Sequence, residues 1–420
     1  MWGHKRTDVL VIGAGPVGLL AALVLARRGV AVRIVDRDWR TGAHSYALLL
    51  HGRSVQLLEE LGLREAVLAG AVPLRRIRFC DSGGCRAALE LEGLPAGLPS
   101  PVVLRQDALE AALEKALSAL DVSVHWNHEV STVVPEADGV RVTLHRLEKE
   151  TVGYAALHTE WVVVGTRELK IPWVLGADGH RSRCRRALGI EFIETAPPLA
   201  FGVFEFRTAG CSEPEMHVVL DSDGLAAAWP LPESFCRWSF ELPQLEPAES
   251  TRDKQRLAVQ IGTGVFPALE VEELRSLLAR RAPWFEGNVG EVRWRIAVRF
   301  ERRLASLFGR NRVWLAGDAA HTAGPIGAHS MNIGLLEARE LADCFAAIVA
   351  GTESPACLDE YNRRQLAQWR LLLGLEDGLR PAAGCDPWVA GQAARLLGCL
   401  PASGQELSAM AAALGLELAR

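Results

Sequence analysis

The first residues suited to specific chemistry are glycines. Gly13-Ala14-Gly15-Pro16-Val17-Gly18 has the spacing G-x-G-x-x-G. The first glycine permits a tight turn, the second lets the backbone approach a pyrophosphate, and the third lets helix pack closely on strand. A helix starting at Pro16 would point free N–H groups and the positive end of its dipole at the phosphates. Asp36 follows Gly13 by a little over 20 residues, where a carboxylate can accept hydrogen bonds from adenosine ribose hydroxyls. The spacing implies a dinucleotide but does not choose between FAD and NAD. The competing reading is a glycine turn that serves packing alone.

Local pattern supplies the elements that this chemistry needs. Residues 8–12 read as a buried strand, 16–28 as a helix rich in Leu and Ala, and 31–35 as a second strand, together one βαβ unit. Helices are predicted near 51–61 and 107–119, and strands within 122–145 and 159–175. From about 190 to 300 the pattern changes to short β-like runs such as Ala200–Arg207, His217–Leu220 and Cys236–Leu242. This predicts a mostly antiparallel sheet inserted into the first domain. Residues 313–316 return to the buried-strand pattern, a helix is predicted over 331–349, and the tail from 357 reads as helical.

Bulk properties narrow the function classes. The chain has 420 residues, enough for two or three packed domains. A net charge of −5 and a near-neutral pI argue against nucleic acid or an acidic membrane surface as partner. The apolar run from Val9 to Leu25 is broken by Gly13, Gly15, Pro16 and Gly18, and no other run approaches the roughly 20 apolar residues of a membrane span. Nine cysteines without framework spacing or a CxxC pair read as reduced thiols in a cytoplasmic protein without a metal site.

Two further motifs bear on the choice of dinucleotide. Gly176-Ala177-Asp178-Gly179-His180-Arg181-Ser182-Arg183 follows the apolar strand 173–175. Leu315-Ala316-Gly317-Asp318-Ala319-Ala320-His321 follows another and continues to Pro325-Ile326-Gly327-Ala328-His329-Ser330-Met331-Asn332-Ile333-Gly334. Read from residues alone, Asp178 and Asp318 fit either ligand contacts or helix caps after strands. A helix starting near Met331 would also offer donors and a favourable dipole to a reduced flavin, which carries negative charge near N1 and O2.

With these three motifs in this order, residues 7–350 resemble the FAD-dependent aromatic hydroxylases, the class A flavoprotein monooxygenases of the p-hydroxybenzoate hydroxylase type. The resemblance implies an α/β fold: a Rossmann-like FAD-binding domain (1–190 with 300–350), an inserted α+β substrate domain (191–299) and C-terminal helices (351–420). It implies bound FAD and NADPH or NADH as a transient reductant, because no second G-x-G-x-x-G exists. It also places Asp178 near the pyrophosphate, Asp318 on the ribityl chain and the loop Pro325–Asn332 along the isoalloxazine. Gln106 matches a glutamine at the phosphate–ribityl region, with Arg105 a phosphate neighbour.

The implied activity is hydroxylation or epoxidation of an aromatic or polyketide-like molecule with O2, through a flavin C4a-hydroperoxide. The cofactor then carries the hard chemistry, and no nucleophile triad or metal motif is expected or found in the sequence. Trp229-Pro230-Leu231-Pro232 and Arg237-Trp238-Ser239-Phe240 resemble strands of the family's substrate sheet, although any one of these aromatics also suits a core. Alternatives on the same fold are Baeyer–Villiger oxygenation, dehydrogenation, halogenation (disfavoured because its Trp-rich insertion is missing) and a flavin-binding protein without catalysis.

Two departures motivate the last of these. Tyr46 stands where many relatives have an arginine, with Arg37 and Arg53 as candidate substitutes. Ala328-His329-Ser330 replaces a glycine-rich run, which predicts strain at Ser330 if that residue takes positive φ. His329 is either a contact to flavin or substrate or a plain loop histidine. The candidate catalytic loop is thus Pro325, Gly327 and His329. The candidate cofactor set is Gly13, Gly15, Gly18, Asp36, Arg37, Arg105, Gln106, Asp178, Gly317, Asp318, Pro325, Gly327, Ser330, Met331 and Asn332.

Overall fold

The structure, a computed structural model, describes residues 6–39, 47–94, 97–152, 158–211, 213–242, 260–261, 264–265 and 269–419. The predicted βαβ unit forms as strand Val9–Ile12, helix Pro16–Arg27 and strand Val32–Val35. Pro16 sits in the first helical turn, where its missing N–H costs nothing, and Gly29 takes φ +76° just past the end. Residues 18–25 of this helix are all buried, which explains its unbroken apolar sequence.

Val9 pairs in parallel with Val32 on one side and with Trp173 on the other. The strand Trp173–Gly176 in turn pairs with Val313–Leu315. A six-stranded sheet therefore gathers segments from the start, middle and last third of the chain. All three acid-bearing motifs leave the carboxyl ends of its strands, where open α/β sheets bind ligands. Helix His329–Val349 packs on helix Pro16–Arg27 and completes this layer.

The second large element is an eight-stranded sheet. Its centre is Phe192–Arg207, paired antiparallel with Val292–Ala305 and with Phe235–Leu242. The meander continues through Gly224–Leu231 and Glu215–Asp221. Two strands from within the first 190 residues, Arg76–Asp81 and Gly84–Glu90, then extend it. Period-two alternation sorts its faces. Phe204, Phe206, Trp238 and Phe240 form a buried cluster with helix Val271–Arg281 on one face. Val203, Glu205, Arg237 and Ser239 alternate onto the other face, where Val203, Arg237 and Ser239 lie toward Leu48, Leu49, Pro325 and Ala328.

A separate three-stranded sheet runs His128–Pro135, Val140–Val152 and His158–Ile171. The tail holds helices Ala356–Leu372, Pro387–Leu397 and Gln405–Ala413, as its composition predicts. It also holds a short antiparallel pair, Leu379–Pro381 with Leu416–Leu418, that the sequence does not announce. Among the described residues, no helix is long and apolar enough to cross a membrane.

Candidate functional site

The glycine turn is built as its spacing demands. A Cβ on Gly13 would lie 2.1 Å from the Ala177 carbonyl oxygen, and one on Gly18 would lie 1.9 Å from the Gly13 carbonyl oxygen. Both glycines therefore permit protein–protein approach. Gly15 differs: nothing lies within 4 Å of where its Cβ would stand. The helix N-terminus behind it faces that open space, as a pyrophosphate cradle requires. Asp36 ends the next strand and accepts from Ala14 N–H at 2.6 Å and from Asp38 N–H at 2.8 Å. These bonds fix its carboxylate at the lip of the turn and leave lone pairs for a ribose. Arg37 beside it is exposed, 3.8 Å from Asp38.

Asp178 acts as a cap and leaves one oxygen unmet. Its Oδ2 caps the helix Arg183–Ala187 by accepting from Arg183 and Cys184 N–H. Its Oδ1 is buried and has no partner, so a ligand donor would relieve an unmet acceptor. Asp318 caps nothing. It projects from the single turn Gly317–Ala319 and makes no hydrogen bond among the described residues. Much protein surrounds it, yet its side chain stays open to solvent. That surrounding raises its pKa, against the opposing pull of His321 and His180.

A buried acid shapes this turn from behind. Glu337 accepts from Gly317 N–H, His321 Nε2 and Trp369 Nε1–H, each at 2.8 Å. A Cβ on Gly334 would meet Val17 at 2.8 Å and Gly317 at 3.0 Å, so close helix packing also sets the turn. Sequence reasoning did not single out Glu337. Its one signal was a charged residue on the apolar face of the predicted helix.

The loop from Pro325 differs in detail from expectation. The positive φ falls on Ala328 (φ +51°, ψ +33°), the N-cap of the helix, and not on Ser330. Strain of about 1 kcal/mol therefore belongs to Ala328. Ser330 lies in regular helix and accepts from Ala323 N–H at 3.0 Å. Asn332 is buried, and its side chain is engaged by protein: Nδ2 donates to the Leu49 and Ala328 carbonyls, and Oδ1 accepts from His51 N–H. Met331 is buried beside it.

Gly327 makes room for the tail. A Cβ there would meet the His329 ring at 2.5 Å and the Gly398 carbonyl at 2.7 Å. His329 is buried edge-on against His51, with ring centroids 5.7 Å apart. Burial lowers the His329 pKa to about 4, partly opposed by the Leu400 and Ala402 carbonyls against its ring. Burial likewise lowers His51 to about 3. His329 packs against Leu400 and Ala402, His51 Nε2 lies 2.7 Å from the Gly327 carbonyl, and Gly327 N–H donates to the Gly398 carbonyl at 3.1 Å, which joins the loop to the tail.

Gln106 and Arg105 are also held by protein. Gln106 bridges Ala47 N–H and the Glu110 carboxylate. Arg105 donates to Glu205 at 2.9 Å. Arg53 reaches Ser403 of the tail at 3.5 Å. Tyr46 lies outside the described residues.

Between the loop and the eight-stranded sheet lies a narrow cleft, part of it open to solvent. Pro325, Ala328, Leu48 and Leu49 form one wall, and Val203, Trp229, Arg237, Ser239, Trp294, Val298 and Phe300 form the other. Its aromatic walls and few polar groups suit a small aromatic molecule. His329 and Gly327 do not line it. The open face at Gly15, the unmet Asp178 Oδ1 and the unpartnered Asp318 together fit FAD.

The chain is also similar to known proteins. The family described as FAD binding domain matches residues 6–373. A 6-methylpretetramide 4-monooxygenase of Streptomyces rimosus is 28% identical over 361 residues, covering 84% of this chain and 58% of that protein. A pentachlorophenol 4-monooxygenase of Sphingobium chlorophenolicum is 27% identical over 364 residues, with coverages of 84% and 61%. The chain thus spans about three-fifths of the length of these curated relatives. Among solved structures, a p-nitrophenol 4-monooxygenase from Pseudomonas putida DLL-E4 superposes with a TM-score of 0.71 at 22% identity, covering 97% of this chain and 92% of that one. An anhydrotetracycline hydroxylase from Streptomyces rimosus gives 0.64 at 25% identity, with coverages of 94% and 70%.

Proposed function

The chain belongs to the FAD binding domain family, and from that premise we propose that it is a single-component monooxygenase. It would use NADPH or NADH and O2 to hydroxylate or epoxidise an aromatic or polyketide-like molecule. One observation carries the reading furthest: an aromatic-walled pocket opens directly against the Pro325–Ala328 loop.

In this reading the Gly15 turn and the N-terminus of helix Pro16–Arg27 receive the pyrophosphate, and Asp36 receives the adenosine ribose. Asp318 meets the ribityl chain, and the unmet oxygen of Asp178 accepts from the bound nucleotide or from water on it. Bound FAD supplies hydride acceptance and oxygen activation, chemistry that no side chain provides. The protein contributes orientation and dryness. Leu48, Leu49, Val298 and Phe300 exclude water, and Trp229 and Trp294 hold a ring edge-on or stacked. The names of the relatives support an aromatic or polyketide substrate. Residues 1–190 with 300–350 are assigned to the cofactor and 191–299 to the substrate, with the strands of 76–90 extending the substrate sheet.

The test is NADH or NADPH oxidation by the FAD-loaded protein in the presence of phenols and polycyclic phenols. Oxidation that accelerates with one of them and yields a product carrying one added oxygen supports the proposal. Stoichiometric hydrogen peroxide with every compound contradicts it.

A further inference from the structure

Trp229 is buried, lines the pocket and leaves its indole nitrogen without a hydrogen-bond partner among the described residues. An indole N–H only donates. Left unmet in a protein interior, it carries a desolvation penalty that an incoming acceptor removes. Most buried indoles find a partner, so an orphan on a pocket wall points to something that the pocket receives.

The neighbours of Trp229 define what that partner is. Trp229 opposes Arg237 across one strand pair, Arg237 opposes Glu205 across the next, and Glu205 opposes Trp294 across the third. The four side chains form one row on the pocket face of the sheet. Glu205 is fully buried, and both its oxygens are occupied: Oε2 accepts from Arg237 Nη2 at 2.8 Å and Oε1 from Arg105 Nη1 at 2.9 Å. The Arg237 guanidinium also lies 4.7 Å above the Trp294 ring. No bare carboxylate therefore faces the pocket to repel an electron-rich oxygen. Arg237, the cross-strand neighbour of Trp229, lines the same pocket.

We propose that Trp229 is a specificity-determining residue whose indole N–H anchors an acceptor-only oxygen on the substrate's ring: a phenolate, a ring carboxylate or a conjugated carbonyl. The inference rests on the proposed function above, because it takes the pocket for the substrate site. It selects among aromatics by what they present to Trp229. A ring bearing only carbon there leaves the donor unmet, whereas an anionic or carbonyl oxygen satisfies it in a pocket that Arg237 also lines.

The experiment uses FAD-loaded protein and three isosteric pairs: pentafluorophenolate with pentafluorotoluene, benzoate with toluene, and acetophenone with α-methylstyrene. Binding is read from the perturbation of flavin absorbance and of tryptophan fluorescence. At least one oxygen-bearing member is expected to bind roughly tenfold tighter than its carbon isostere. The pair that responds identifies whether phenolate, carboxylate or carbonyl is the anchor. Trp229→Phe is expected to erase that difference within the pair, with FAD occupancy unchanged, whatever the smaller ring does to the affinity of both members alike. Trp229→His, which keeps a ring N–H, is expected to restore part of it. If both members of every pair bind equally, or if the difference survives Trp229→Phe, this inference is overturned and the proposed function stands. If neither member of any pair binds, the inference falls, and the proposed function is decided separately by the oxidation test above.

Discussion

Gly15 and Gly18 belong to the same motif but do different work, and substitution separates them. A methyl group at Gly15 meets nothing within 4 Å, and the residue's φ of −71° and ψ of −178° suit alanine. Gly15→Ala should leave the stability of cofactor-free protein within about 0.5 kcal/mol of wild type. The same methyl group stands where a pyrophosphate must approach the backbone, so FAD affinity should fall about tenfold or more, roughly 1.4 kcal/mol. At Gly18 the added Cβ lies 1.9 Å from the Gly13 carbonyl oxygen, whereas ordinary contact begins near 3.4 Å. Helix and strand must part by about 1.5 Å, an overpacking that costs roughly 1–3 kcal/mol. Gly18→Ala should therefore lower the thermal midpoint of the cofactor-free protein as well as FAD binding. The assay is thermal unfolding without cofactor, paired with FAD titration followed by quenching of flavin fluorescence. Full FAD affinity in Gly15→Ala would refute the placement of the pyrophosphate. An unchanged midpoint in Gly18→Ala would refute the packing argument.

Three further outcomes are expected. Asp318→Ala removes an unpartnered, solvent-open carboxylate, so it should lower FAD occupancy without moving the cofactor-free thermal midpoint; unchanged occupancy removes Asp318 from the site. Glu337→Ala leaves Gly317 N–H, His321 and Trp369 without their shared acceptor, at a cost of about 3 kcal/mol or more by chemical denaturation, and an unchanged midpoint contradicts this. Glu406, which accepts from Gly52 N–H at 3.0 Å, has its carboxyl raised from 4.5 to about 7, chiefly by burial. Between those values the native chain holds a proton that the unfolded chain has lost. Stability should therefore fall as pH rises through that window, by about 3 kcal/mol in all. Glu406→Gln should flatten this slope in unfolding midpoints measured from pH 4.5 to 8, and an unaltered slope disproves the assignment.

What was legible in the sequence was what local pattern encodes. The strand–turn–helix around Gly13–Gly18 and the two acid turns at Asp178 and Asp318 follow from apolar periodicity and glycine placement, and they appear where expected. Contacts made between distant segments left no such trace. Gln106, Arg105 and Asn332 have polar side chains of the right type for a cofactor. Their partners (Ala47 and Glu110, Glu205, and Leu49 and Ala328) became visible only once the chain was folded. The strain expected at Ser330 sits two residues earlier because the helix begins at His329, which makes Ala328 the cap. Element ends are where pattern is weakest. The strands Leu379–Pro381 and Leu416–Leu418 have three residues each, too few for alternation to declare itself. The row from Trp229 to Trp294 could be half read: alternation puts Arg237 and Ser239 on one face and Trp238 and Phe240 on the other. Glu205 as the partner of Arg237 depends on strand order, which no spacing reveals.

The central claim is that one FAD seats across the Gly15 turn, Asp178 and Asp318. The most direct test is the visible spectrum of the purified protein after incubation with FAD and removal of the excess, with the flavin then released and identified. The account predicts a flavin spectrum with close to one FAD per chain, and a reduced yield in Gly15→Ala and Asp318→Ala. A protein that remains colourless and takes up no FAD, while unfolding cooperatively, would contradict it.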